Sequence, residues 1–186
     1  MLFGSPVQAQ TLPETIVVDE EFVTEGPYYV GEPITYEITL TYTSTDPSLR
    51  LEYVALADAL YVGQNWELVS YEPTPTETLH FCRQGDGSNT YPMCEWGPLY
   101  PGDSVTLRVT MIPHEAGTFQ NTGQMHYHYV EPNRDIDITQ YRDTVFVEVV
   151  ERPPKPQTEA ECKNGGWDAL GYKNQGKCIK AVKSSP

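Results

Sequence analysis

The stretch "PITYEITLTYT" (33–43) alternates residue by residue. Ile34, Tyr36, Ile38, Leu40 and Tyr42 fall on one face, and Thr35, Glu37, Thr39 and Thr41 on the other. Period two with β-branched and aromatic residues predicts a half-buried strand. "SVTLRVTMI" (104–112) repeats the pattern, with Val105, Leu107, Val109 and Met111 set against Ser104, Thr106, Arg108 and Thr110. Further strands are predicted at 15–18, 51–60, 66–73, 78–82, 94–97, 117–130 and 143–150. Turn chemistry separates them, for example Pro101-Gly102-Asp103 and the polar loop "RQGDGSNTYPM" between Cys82 and Cys94. Seven or more short strands of this kind predict an all-β, immunoglobulin-like two-sheet sandwich. The Cys…Trp…Cys frame of antibody domains is absent, so only the general architecture follows.

Sixteen prolines and 14 glycines in 186 residues interrupt the chain too often for long helices. The predicted organisation is a tail over 1–14, the sandwich over 15–150, and a stiff Pro-rich linker, "ERPPKPQ", over 151–157. A mini-module over 158–181 and a tail over 182–186 follow. In the tail, Val7-Gln8-Ala9 has the small-residue pattern of a signal-peptidase site, as at the trailing edge of an export signal. In the module, Thr158 and Glu161 stand at capping-box spacing. Trp167, Leu170 and Tyr172 are its only bulk. So small a unit buries too little to fold unaided and needs a staple.

The four cysteines supply one. Neither Cys82/Cys94 nor Cys162/Cys178 has CxxC spacing, so disulfides and an oxidising compartment are expected. Three connectivities exist in principle, and local pairing is the simplest. Each bridge would contribute roughly 3 kcal/mol.

Net charge is −14, which argues against a nucleic-acid partner. Residues 155–186 carry six lysines against three acids, a local charge of +3, and leave −17 on residues 1–154. The cationic end suits docking on an acidic body, its own or another copy's, or else it is a solvated Lys-rich tail. No stretch reaches the length of a membrane span.

The runs "VGEPITYEITLTYT", "ALADAL", "WGPLYPGDSVTLRVTM" and "GTFQNTGQM" resemble a repeat domain of bacterial and archaeal cell-surface proteins, the domain of unknown function eleven. Its motifs match Gly31-Glu32, Leu99-Tyr100-Pro101-Gly102-Asp103-Ser104, Gly117-Thr118 and Asn121-Thr122-Gly123. Its Asp-Leu-Pro element is Asp58-Ala59-Leu60-Tyr61 here, a departure that puts that turn in doubt. The likeness covers about 25–150. "CKNGGWDALGYKNQGKC" (162–178) resembles a short C-terminal module of secreted bacterial proteins. Both resemblances imply an exported, surface-associated, non-catalytic protein.

No nucleophile elbow, phosphate loop or dinucleotide fingerprint is present, and no carboxylate pair stands out for glycoside hydrolysis. His126 and His128 share a strand face, so with Asp135, Asp137 or Asp143 they are the candidate metal ligands. The alternative is a wet face opposite a Met125/Tyr127/Tyr129 core. Calcium would find hard oxygens at Asp19, Glu20 and Glu21, or at Asp135 and Asp137. No cofactor is otherwise expected. His80 and His114 read as surface residues. Tyr28, Tyr29, Tyr61, Trp66, Tyr91, Trp96 and Tyr100 cluster near predicted turns, as a contact surface for glycan or protein or as plugs over the sandwich ends.

The leading expectation is an extracellular structural subunit whose partners are copies of itself. Residues 11–23, with Ile16, Val17, Val18 and Phe22, would add a strand to a neighbour's sheet. A monomeric adhesion or carbohydrate-binding module is the alternative, and a hydrolase fragment the third reading.

Overall fold

The computed structural model describes residues 16–58, 65–84, 92–131, 134–152 and 156–183, with the backbone alone for 129–131 and 134–142. Val7-Gln8-Ala9, Tyr61, Tyr91 and the side chains of Asp135 and Asp137 lie outside it. The chain divides into two compact units, with the boundary in sequence between Val149 and Val150.

The first unit is an immunoglobulin-like sandwich with ten strands among the described residues: β1 (Ile16–Phe22), β2 (Tyr28–Tyr29), β3 (Ile34–Tyr42), β4 (Tyr53–Asp58), β5 (Trp66–Thr74), β6 (Leu79–Gln84), β7 (Pro92–Trp96), β8 (Ser104–Pro113), β9 (Gly117–Glu131) and β10 (Arg134–Val150). One sheet has the order β1-β3-β8-β5 and the other β2-β10-β9-β4-β7-β6. The period-two faces settle inward as predicted. Ile34, Tyr36, Ile38, Leu40 and Tyr42 of β3 and Val105, Leu107, Val109 and Met111 of β8 are all buried. Val54 and Leu56 of β4 and Met125 and Tyr127 of β9 meet them from the other sheet. Full burial of each such side chain contributes about 1.5–3 kcal/mol. A smaller cluster of Ile34, Phe119, Val147 and Val149 carries the core onward.

The outward positions of β3 and β8 pair across the strands. Thr35 meets Thr110 at 2.9 Å, Thr39 meets Thr106 at 3.0 Å, and Thr41 meets Ser104 at 2.9 Å. Arg108 Nε donates to Glu37 Oε1 at 2.7 Å. Each pair adds about 0.2–1 kcal/mol. Where β7 ends, Gly97 passes so close to the Glu52 carbonyl that any Cβ would collide with it.

Three boundaries differ from the sequence reading. β1 runs on through Asp19-Glu20-Glu21, an acidic run that hid the strand's second half. β10 begins at Arg134 rather than 143 and pairs with β9 through Val149, with a register shift between Arg142 and Thr144. β2 has two residues, too few to leave a periodicity.

The second unit holds helices α1 (Gly166–Ala169) and α2 (Gln175–Lys183). Thr158 and Glu161 do interact, Thr158 Oγ1 lying 3.1 Å from Glu161 Oε1, but they close a run of turns rather than start a helix. α2 was not foreseen. Asn174 caps it, its Oδ1 accepting the Lys177 N–H at 2.9 Å. Lys180 and Lys183 stand in its last turn, where a cation complements the helix dipole. Cys162 and Cys178, joined to each other, are fully buried, and Trp167, Leu170 and Tyr172 are half-buried.

Candidate functional site

β1 is an edge strand that pairs with the chain's own β3, from Ile16↔Tyr42 to Phe22↔Tyr36. The residues predicted to join a neighbour therefore sit in their own sheet. The inner face of β1 carries Ile16, Val18, Glu20 and Phe22. Ile16 is buried, and Val18 and Phe22 pack on the main core. Val17 points outward, 51% exposed.

Glu20 interrupts that apolar row. It is 4% exposed, and its side chain crosses to the other sheet, where Oε2 accepts the Gly123 N–H of β9 at 3.0 Å. Its own N–H donates to Asp143 Oδ2 at 2.8 Å. Asp143 lies in the left-handed region, φ 46°, where the ladder of β9 and β10 shifts register. Its other carboxylate oxygen accepts the Thr144 N–H at 2.9 Å. An aspartate tolerates that conformation better than most residues. The arrangement aims a carboxylate at the middle of β1, so Glu20 ties β1 to the opposite sheet through both backbone and side chain.

Around Glu20 lies a buried polar cluster. Asp58, the last residue of β4, is fully buried, and the Tyr36 hydroxyl of β3 donates to its Oδ2 in a short hydrogen bond. The Met111 sulfur lies 3.3 Å from that hydroxyl. Asn121 of β9 is 1% exposed and accepts the Thr122 N–H through Oδ1 at 2.9 Å. Among the described residues, Glu20 Oε1, Asp58 Oδ1 and Asn121 Nδ2 are buried without a hydrogen-bond partner. Burial pushes the Glu20 carboxyl from 4.5 up to about 8, with Asp58 and Asp143 raising it further against the Gly123 N–H. Burial likewise lifts Asp58 from 3.8 to about 6, against the lowering effect of Tyr36 and Asn121. The Tyr36 hydroxyl is pushed well above its ordinary value, first by burial and then by Asp58. This is a site that holds a proton on the Glu20 carboxyl at neutral pH.

A second feature is a trough of about 340 Å³ on the outer face of the six-stranded sheet, between β9, β4, β7 and β6. Ala55 and Ala57 form its floor, and their cross-strand partners Glu95, His126, Met93 and Gln124 form its sides. Arg83 and Tyr53 also line it.

The remaining predicted sites resolve as follows. His126 and His128 flank the Tyr53 ring, stacked at 5.6 and 5.2 Å with planes 12° and 5° apart, and Tyr53 Oη lies 3.0 Å from His126 Nε2. Met125 and Tyr127 are buried on the opposite face. The histidine pair thus builds an aromatic ladder. No group of three His, Cys, Asp or Glu that could hold a metal occurs among the described residues. Asp19 and Glu21 are exposed while Glu20 points inward, so the three acids do not converge.

The aromatic contact surface is corrected at several positions. Trp96 is fully buried in the main core, its indole N–H donating to the Pro75 carbonyl at 2.8 Å. Trp66 packs edge-on against Phe119 at 5.3 Å. Tyr28 lies 5.3 Å from the Phe22 ring and donates its hydroxyl to the Thr24 carbonyl at 2.9 Å. Tyr29 is half-buried, and Tyr100 is 49% exposed. Cys82 and Cys94 form one disulfide, between β6 and β7, and Cys162 and Cys178 the other.

Sequence reasoning missed Tyr36, Asp58 and Asn121 as a group, because no local spacing joins them. Glu20 did leave a signal: continuing the Ile16–Val18 alternation through Phe22 puts its side chain indoors.

Three solved structures resemble the sandwich. The full-length major pilin SpaD from Corynebacterium diphtheriae is 11% identical at a TM-score of 0.52, over 72% of this chain and 34% of that one. The C-terminal domain of the Streptococcus pyogenes antigen I/II-family protein AspA is 9% identical at 0.52, over 70% and 46%. The C-terminal domain of the Streptococcus agalactiae AgI/II polypeptide BspA is 9% identical at 0.51, over 72% and 49%. At such identities the likeness shows the fold. The chain spans a third to a half of these three solved chains. No family profile matches the chain and no curated protein matches its sequence.

Proposed function

We propose that this chain is a non-catalytic, extracellular structural subunit of a cell surface, and that its copies join by exchanging β1. The observation that carries the reading is the contrast between β1 and the other sheet edges. β5 carries Pro73 and a register shift between Leu68 and Ser70. β6 carries a shift between Leu79 and Phe81, and β2 is two residues long. Bulges, prolines and short strands are the ordinary protections of an edge. β1 has no bulge or proline over seven residues in unbroken register, and its protection is charge alone, Asp19 and Glu21 outside and Glu20 inside.

Simple edge-to-edge pairing of two β1 strands is disfavoured, because Asp19 and Glu21 would bring like charges together. Exchange avoids this, since the incoming β1 meets the same β3 that its own copy offered. Every native contact is then re-formed between molecules. Two disulfides support an oxidising compartment. The likeness of fold to a pilin and to antigen I/II-family domains supports a surface role. In this reading the lysines of the second unit dock on the acidic body of a neighbouring copy.

The test is complementation. A chain lacking residues 1–23 has an open β3 edge, and a synthetic peptide of residues 11–23 should bind it and raise its melting temperature. The same peptide with Val18→Asp should not. Equal stabilisation by both peptides, or by neither, argues against the reading.

The trough favours a second reading, a carbohydrate-binding or adhesion module. Its two-alanine floor lets a sugar ring approach the sheet, with Arg83, Glu95 and Gln124 as hydrogen-bonding groups. A glycan array tests it, with loss of any signal expected for Glu95→Gln.

A further inference from the structure

We infer that Glu20 and Asp58 form a proton-loaded clip that holds β1 in its own sheet and releases it for exchange when the pair loses its proton. The inference rests on the strand-exchange reading and adds its control.

The geometry comes first. Glu20 is the inward-facing residue of β1 that reaches the opposite sheet, so a change at its carboxyl acts on this strand before any other. Titratable groups face it from three elements: Tyr36 from β3, Asp58 from β4 and Asp143 from β10. β9 contributes amide groups, the Gly123 N–H and the Asn121 side chain. Among the described residues, the groups that act on Glu20, Tyr36 and Asp58 include no lysine, arginine or histidine. One buried carboxyl oxygen, Glu20 Oε1, lacks a partner among the described residues, and Asp58 Oδ1 has no well-formed hydrogen bond, only the pull of the nearby Asn121 amide. Such oxygens call for a proton or a cation. A calcium ion would need six to eight oxygens, and no three His, Cys, Asp or Glu among the described residues are arranged to hold a metal ion, the Asp143 carboxylate being taken up by the Glu20 and Thr144 N–H groups. A proton suffices. It leaves Glu20 neutral beside Asp58 and turns one orphan acceptor into a donor.

Removing the proton places a charge in a buried site already facing Asp58 and Asp143. The cheapest relief is to move Glu20 into water, and Glu20 lies on an edge strand. Swinging β1 out solvates the carboxylate and breaks one ladder, whereas Asp58, on the interior strand β4, has no such exit. The Glu20 carboxyl, raised to about 8, sets the release near neutral to mildly alkaline pH.

Hydrogen–deuterium exchange of the full chain tests this, comparing a peptide covering 16–22 with one covering 104–113 of β8 at pH 6 and pH 9, after correction for intrinsic rates. Wild-type β1 should lose protection on the order of 50-fold between the two pH values and exchange well ahead of β8 at pH 9. Glu20→Gln, with nothing to ionise, should keep its protection. Asp58→Asn, which removes a like charge, should lose less than the wild type. Equal behaviour of β1 and β8 at both pH values overturns the clip, as does loss of protection in Glu20→Gln matching the wild type. If Glu20→Gln does not fold, the Asp58→Asn comparison decides alone. Light scattering on the same samples separates the two ideas. A protein that shows this protection pattern yet stays monomeric keeps the clip and loses strand exchange. One that associates equally at both pH values with unchanged protection does the reverse.

Discussion

Glu20 and Asp58 make stability depend on pH in a direction opposite to most carboxylates. Both folded-state values lie above the ordinary ones, about 8 against 4.5 and about 6 against 3.8. The unfolded chain therefore gives up these protons first as pH rises. The resulting penalty on folding is absent below about pH 3, grows through neutrality and is complete above about pH 9. Unfolding free energy should fall by on the order of 4 kcal/mol between about pH 5.5 and about pH 8.5. Urea midpoints at those two values would measure it, and Glu20→Gln should remove the larger share. Tyr36→Phe takes away the hydroxyl that donates to Asp58. It should cost about 1–3 kcal/mol in the same titration, without a change in the urea m-value. At this scale the sequence was half legible. The inward rows of β3 and β8 could be read from alternation alone. Trp96 could not, because a tryptophan beside a predicted turn looks the same whether it plugs the core or faces a ligand. Its indole donates to the Pro75 carbonyl, a pairing brought by the fold and not by sequence neighbours.

Among the elements, strands with a clean period of two were legible to within a residue or two. β10 extended further because its long pairing with β9 supplies hydrogen bonds that local pattern does not announce. α2 was missed for a related reason. Its nine residues include Gly176 and little apolar surface, and what holds it is the Asn174 cap and the tie from Cys178 to Cys162. That dependence is testable. Replacing Cys162 and Cys178 by serine should abolish the helical circular-dichroism signal of residues 166–183 and leave the strand signal of the sandwich intact. Retention of the helical signal would mean that the module has a sufficient core without its bridge. The edge protections have an equivalent test. Pro73→Thr with Glu72→Val would turn β5 into a second open edge, and faster aggregation by turbidity is expected.

For the whole molecule, the separation of charge is the feature most easily tested. A body of −17 and an end of +3 should attract one another between copies over about 8 Å in physiological salt and over a shorter reach at higher ionic strength. Association followed by light scattering should thus weaken from 50 to 500 mM sodium chloride, and the dependence should shrink when Lys177, Lys180 and Lys183 become glutamine. Strand exchange itself is tested most directly by a covalent trap. Val17 and Thr41 are register partners between β1 and β3, so Val17→Cys with Thr41→Cys records which molecule supplied the strand. Oxidised at high protein concentration and run without reductant, this variant should give a ladder of covalent multimers that collapses to monomer on reduction. Monomer alone at every concentration, with the new cysteines joined within one chain, would contradict the account.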